Sequence, residues 1–251
     1  MPPARSSYWL ASRAPRYSLP FALPLLLLYE LLAFLLSGAA LGDVRNGADV
    51  LLKSLFMALG GRFGVAAFSL VLFGVGVWLV ARDRKGAGPI QARYFGLMFA
   101  ESAVYALALG GIASALTSLL LHGRLAAVLA QEAGAAGLAA FDLPTQLMIS
   151  LGAGLYEELL FRVLLVSGLA VLARRLFGWK PLGAGIFAAV LGALVFSLFH
   201  YVGAYGDDFS LGSFTFRAIA GLLFSGLYLL RGFGIAAWSH ALYDVFLSVV
   251  Q

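Results

Sequence analysis

Seven long apolar runs, with almost no polar interruption, constrain this chain more than any other feature. They cover about 18–38, 63–81, 94–121, 146–173, 182–204, 214–230 and 233–250. A helix needs about 20 mainly apolar residues to cross the hydrocarbon core of a bilayer. Only helices and closed barrels satisfy their backbone groups there. Barrel strands alternate with a period of two, whereas these runs are apolar throughout. The expected fold class is therefore all-α: a polytopic transmembrane helical bundle of about seven spans plus a short interfacial helix. The chain is 62% hydrophobic and 12% charged, against about 45–50% and about 25% for soluble domains. The bilayer is then the solvent. Short loops over 251 residues leave no separate soluble domain, so 1–251 reads as a single membrane domain.

The segment Ala48–Leu59, which carries Asp49 and Lys53, reads as a short interfacial or re-entrant helix and not as a span. The Ala/Gly-rich stretch 125–142 is too interrupted for a span. The first apolar run, Leu19–Leu36, contains Glu30 and exceeds the 7–15 residues of a signal-peptide core, so it is expected to be retained. With the N-terminus inside, eleven basic residues face the cytoplasm: Arg5, Arg13, Arg16, Arg82, Arg84, Lys85, Arg93, Arg174, Arg175, Lys180 and Arg231. Five face outward: Arg45, Lys53, Arg62, Arg124 and Arg217. This bias predicts an integral protein of a bacterial inner membrane with a cytoplasmic N-terminus. The absence of cysteine excludes disulfides, cysteine nucleophiles and iron–sulfur clusters. The net charge of +5 is dispersed over loops, so no nucleic-acid partner is expected. Gly192, Gly221 and Gly226 are expected to allow close helix approach. His122, Trp78, Trp179 and Tyr205 are expected near the membrane interface.

Ionisable side chains inside the bilayer cost about 2.5–3.5 kcal/mol each on insertion scales, so each needs a partner or a purpose. The fourth run holds Glu157, Glu158 and Arg162, the fifth holds His200, and the seventh holds His240 and Asp244. Glu158 and Arg162 are four apart and can form an ion pair on one helix face. Glu157 points elsewhere and has no local partner, which suits a general base or acid. His240 and Asp244 are also four apart, so the carboxylate can fix the imidazole tautomer. At about 1.5 Å rise per residue, Glu157 lies roughly 16 Å below the outer end of its span, His200 roughly 6–9 Å and the last pair roughly 10–16 Å. One shared cavity is compatible with these depths. Glu30 and Glu101 are read as structural or cavity-lining.

Three motifs in order, Glu157-Glu158-x-x-x-Arg162, Phe196-x-x-x-His200 and His240-x-x-x-Asp244, resemble the CPBP family. This family comprises the CAAX prenyl endopeptidases of Rce1 type and related bacteriocin-processing, immunity or abortive-infection proteins. The resemblance covers about residues 146–250. It implies an intramembrane endopeptidase whose substrate is a membrane-associated peptide or protein tail. It implies that Glu157 and His200 activate a water and that His240 with residue 244 stabilises the oxyanion. Glu158 and Arg162 would be accessory. Well-studied members carry Asn where this chain has Asp244, and an ionised carboxylate repels an oxyanion. Asp244 must therefore be protonated, orient His240 or bind a metal. Family members are described as glutamate-type and as metal-dependent proteases. Two Glu, two His and one Asp could ligate a divalent metal, zinc included, yet no His-Glu-x-x-His helix is present. The favoured reading is chemistry without a cofactor. Two other readings of the buried groups are a proton-coupled transporter and a non-catalytic scaffold or immunity factor.

Overall fold

The computed structural model describes residues 8–36, 44–85, 87–121, 141–203 and 206–250. Arg5, His122, Arg124, Tyr205 and most of the 125–142 stretch lie outside the described residues. The described chain is helical, without strands. Helix α1 is Tyr8–Arg13, α2 is Pro15–Leu36, α3 is Gly47–Arg84 and α4 is Arg93–Leu120. Helix α5 runs over 143–177. It is followed by α6 (Pro181–Phe199), α7 (Leu211–Arg231) and α8 (Phe233–Val250). Helices α2, α3, α4, α6 and α7 are long and apolar enough to cross a membrane. Helix α5 and the shorter apolar α8 bring the long helices among the described residues to seven. The protein is an integral membrane helical bundle.

Local chemistry sets the ends of these helices. Pro15 and Pro181 open α2 and α6, where a missing N–H costs nothing. Asp142 caps α5 by accepting from Thr145 N at 3.2 Å. Ser210 caps α7 by accepting from Ser213 N at 3.1 Å. Asn46 caps α3. Gly178, with φ 65°, ends α5 in the left-handed region.

Two boundaries differ from the sequence reading. The segment 48–59 and the run 63–81 are one helix, α3, with non-helical backbone at Gly60 (φ −153°, ψ 20°) and Gly61 (φ 56°, ψ −150°). The positive φ at Gly61 suits glycine, which lacks Cβ. The first part is buried against the bundle at Ala48, Asp49 and Leu52, which excludes a purely interfacial position. Helix α5 is not a plain α-helix either. Its middle section, Ala153–Val166, is π-helical, with i→i+5 hydrogen bonds.

Helix α8 is central and packs against α2, α4, α5 and α7. The ends that should share one membrane face do meet. Arg16 pairs with Asp83 at 3.1 Å, Gln91 N donates to Tyr17 OH at 2.7 Å, and Gly234 N donates to Ser18 Oγ at 2.8 Å. Arg231, taken from the sequence as a loop charge, is the buried last residue of α7. Its Nε and Nη2 donate to the two oxygens of Glu101 at 2.6 and 2.7 Å. Nη1 donates to Trp9 O and Nη2 to Ser12 Oγ, both at 2.9 Å. Tyr8 OH also donates to Glu101. This cluster ties α1 to α4 and α7.

Removing one partner of a buried ion pair leaves the other charge uncompensated, at about 3–5 kcal/mol. Arg231→Met is therefore expected to lower stability by about 3 kcal/mol or more, read as the unfolding midpoint in detergent. An unchanged midpoint would contradict this account of α1 docking.

Candidate active site

The polar residues of α5, α6 and α8 converge toward the opposite end of the bundle, where α3 begins and α6 ends. Close approach of α5 and α8 makes this geometry available. A Cβ built on Gly154 would lie 2.4 Å from Ala237 O and 2.6 Å from Ala241 Cβ, so only glycine fits. Gly192 and Gly221 are also close-packed, against Val166 Cγ2 and against Phe196 and Ala193. Gly226, expected to do the same, has nothing within 4 Å of an added Cβ. It faces outward from the helix contacts.

His240 is the hub. Its Nδ1 lies 2.8 Å from Glu158 Oε1. An ionised carboxylate only accepts, so the shared proton sits on Nδ1. The ring stacks on Phe224, with centroids 4.6 Å apart and planes 21° apart. Its Nε2 faces Glu157 Oε2 at 3.9 Å and Asp244 Oδ2 at 3.7 Å. From the i,i+4 spacing, Asp244 was expected to orient the imidazole. The structure gives that contact to Glu158, which reaches across from α5, whereas Asp244 stands beyond hydrogen-bond distance.

Glu158 is fully buried and also pairs with Arg162, Oε2 to Nε at 3.3 Å. Among the described residues the Arg162 guanidinium makes no hydrogen bond. It lies over the rings of Phe196 at 4.5 Å and Phe224 at 5.7 Å, an arrangement that favours a cation on an aromatic face.

Glu157 has a partner that sequence spacing did not reveal. Asn46 Nδ2 donates to Glu157 Oε1 at 2.8 Å. Glu157 Oε2 is buried and accepts no hydrogen bond from any described residue. The carboxylate interacts electrostatically with both His200 and His240. His200 follows the last residue of α6, and its Nδ1 lies 2.9 Å from Phe196 O. A carbonyl is an acceptor, so His200 also carries its proton on Nδ1, which leaves a lone pair on Nε2. Phe196 touches both imidazoles, with centroids 4.9 Å from His200 and 6.1 Å from His240. All six motif residues therefore belong to one cluster.

Arg217, counted from the sequence as an outer loop charge, is buried in α7. It pairs with Asp207 and lies over the Tyr201 ring at 5.4 Å. Asp207 N donates to His200 O at 2.9 Å, so this pair braces the turn that carries His200. Glu30 lies at the rim of the cluster, 3.1 Å from Arg45 Nη1 and 3.5 Å from Lys53 Nζ. Tyr156 OH donates to it at 3.2 Å.

The same atoms bear on the divalent-metal alternative. Among the described residues no three His, Asp or Glu side chains are arranged to hold a metal ion. Glu158 holds Nδ1 of His240 and a backbone carbonyl holds Nδ1 of His200, so each ring has only Nε2 to offer a ligand.

Residues 139–246 match the family model described as type II CAAX prenyl endopeptidase Rce1-like. Over that segment, which is less than half of the chain, the sequence is similar to that family. No curated protein and no solved structure matches the chain. The matched segment contains all six motif residues, whereas Asn46 lies outside it.

Gly154→Val is expected to destabilise the bundle by about 1–3 kcal/mol, as overpacking does. Gly226→Ala should be nearly neutral. Thermal unfolding of the two variants in the same detergent checks the contrast, and equal midpoints would contradict the close contact of α5 and α8.

Proposed function

We propose that the chain is an intramembrane endopeptidase that hydrolyses a peptide bond in a membrane-associated peptide or protein tail. The observation that carries this reading is the Glu157 carboxylate: one oxygen is held by Asn46, and the other is free and directed toward His240 Nε2. A carboxylate held in this way suits proton abstraction from a water. His200 Nε2 is a second acceptor for the same water. The N-terminus is proposed to be cytoplasmic, in a bacterial inner membrane, from the bias of Lys and Arg among the loops.

In this mechanism the water gives a proton to Glu157, and its oxygen attacks the carbonyl carbon. The carbonyl oxygen becomes an oxyanion. His240 donates to it from Nε2 while Nδ1–H remains on Glu158, so the donating ring is the imidazolium. Collapse breaks the C–N bond, and Glu157 returns the proton to the leaving amine. Atoms and charge balance without a cofactor. Arg162 acts indirectly, by holding Glu158 beneath the imidazole. Asp244 assists only in its protonated form, because its ionised form would oppose the oxyanion.

Cleavage of a peptide-tail library by purified protein in detergent tests the reading. Glu157→Gln and His200→Ala are each expected to lower kcat by about 10²–10⁴-fold, the usual contribution of general acid–base catalysis. Wild-type cleavage by both variants would reject the assignment. Asp244→Asn replaces the carboxylate with a donor and is expected to retain or raise activity. Activity should also survive a strong chelator. Loss on chelation with recovery on added zinc would overturn the metal-free mechanism.

A further inference from the structure

We propose that Asn46 is a positioning residue that holds Glu157 in its reactive orientation, a role that rests on the peptidase reading above. Asn46 ends the segment before α3 and is buried. Its Oδ1 accepts from Ala48 N at 2.9 Å, as an N-cap does. This contact decides the orientation of the amide, because a flipped group would put NH2 against the Ala48 N–H. The NH2 must then face the other way, and there it donates to Glu157 Oε1 at 2.8 Å. The helix end thus orients the donor, and the donor orients the carboxylate.

The packing beneath the amide restricts it further. A Cβ built on Gly152 would lie 2.8 Å from Asn46 Cβ and 2.6 Å from Tyr29 Cε2. Gly152 is five residues before Glu157, one π-helical hydrogen-bond step along α5. The Asn46 side chain therefore sits in a notch on the same helix that carries the carboxylate. Tyr29 OH accepts from Asn46 N at 3.4 Å and donates to Asp49 at 2.8 Å, which closes the notch from α2. With Oε1 held, proton exchange is confined to Oε2, the oxygen facing His240.

The competing role is purely structural, that of a helix cap. Ser and Thr also serve as helix caps, but neither has an NH2 to offer Glu157, and neither adds a charge beside it. Asn46→Ser and Asn46→Thr therefore separate the two roles. Both are expected to keep the unfolding midpoint near wild type and to lower kcat by about 10- to 100-fold, as loss of a hydrogen bond to a charged group would. KM should stay within about twofold, because Asn46 acts on the carboxylate and not on substrate. In a Glu157→Gln background, either substitution should cause little further loss.

Wild-type kcat in both Asn46 variants, with Glu157→Gln inactive, would overturn the Asn46 role and leave the peptidase reading intact. Loss of kcat that adds fully to that of Glu157→Gln would also overturn it. Full activity in Glu157→Gln itself would remove the reading and the Asn46 role together. If Asn46→Ser fails to fold, Asn46→Thr carries the same comparison.

Discussion

A buried hydrogen bond between His240 and Glu158 is the interaction on which the rest of the site depends. It joins the central helix α8 to α5 across a glycine contact at position 154. Each ionisable group in a span carries an insertion cost of about 2.5–3.5 kcal/mol, so six of them are tolerable only as a mutually compensating set. Glu158 meets this demand twice, toward His240 and toward Arg162. The aromatic rings of Phe196 and Phe224 cover the guanidinium and the imidazole from the sides. The outcome is one oriented imidazole beside one carboxylate with a free oxygen.

Charge is handled differently elsewhere in the bundle. Arg231 and Glu101 close on each other in a bidentate pair far from the motif residues. Arg45, Lys53, Glu30 and Asp49 form a mixed network at the rim, where water can share the work. These groups are satisfied by partners of opposite sign. Among the described residues, only the motif cluster combines a carboxylate oxygen without a hydrogen-bond partner with two imidazoles whose Nδ1 atoms are already engaged.

The helical bundle was legible because apolar runs of span length leave a chain few alternatives. The motif residues were legible because charge in an apolar run is expensive. Spacing along one helix reveals only partners on that helix, so it found Glu158 with Arg162 and missed Glu158 with His240. It also proposed an Asp244–His240 hydrogen bond that cross-helix packing replaces. Asn46 was missed for the same reason, although Asn46-Gly-Ala-Asp49 carries an N-cap signal. Arg217 and Arg231 look like loop charges in a count of basic residues, but both are buried and paired. Nothing in the residue types of Ala153–Val166 distinguishes an i→i+5 ladder from an i→i+4 one. That section is set by what packs on both sides of it.

The break at Gly60 and Gly61 divides α3 into two mechanically distinct parts. The first is bound to the bundle through Asn46, Asp49 and Leu52. The second presents nearly all its surface outward and is tethered chiefly by Phe68 stacked on Phe56 and by Asp83 on Arg16. An unbroken rod of this length would hold the outward arm and the Asn46 end on one axis. The break at two residues without Cβ lets the two parts take separate directions, so the packing around Asn46 does not dictate the course of the arm.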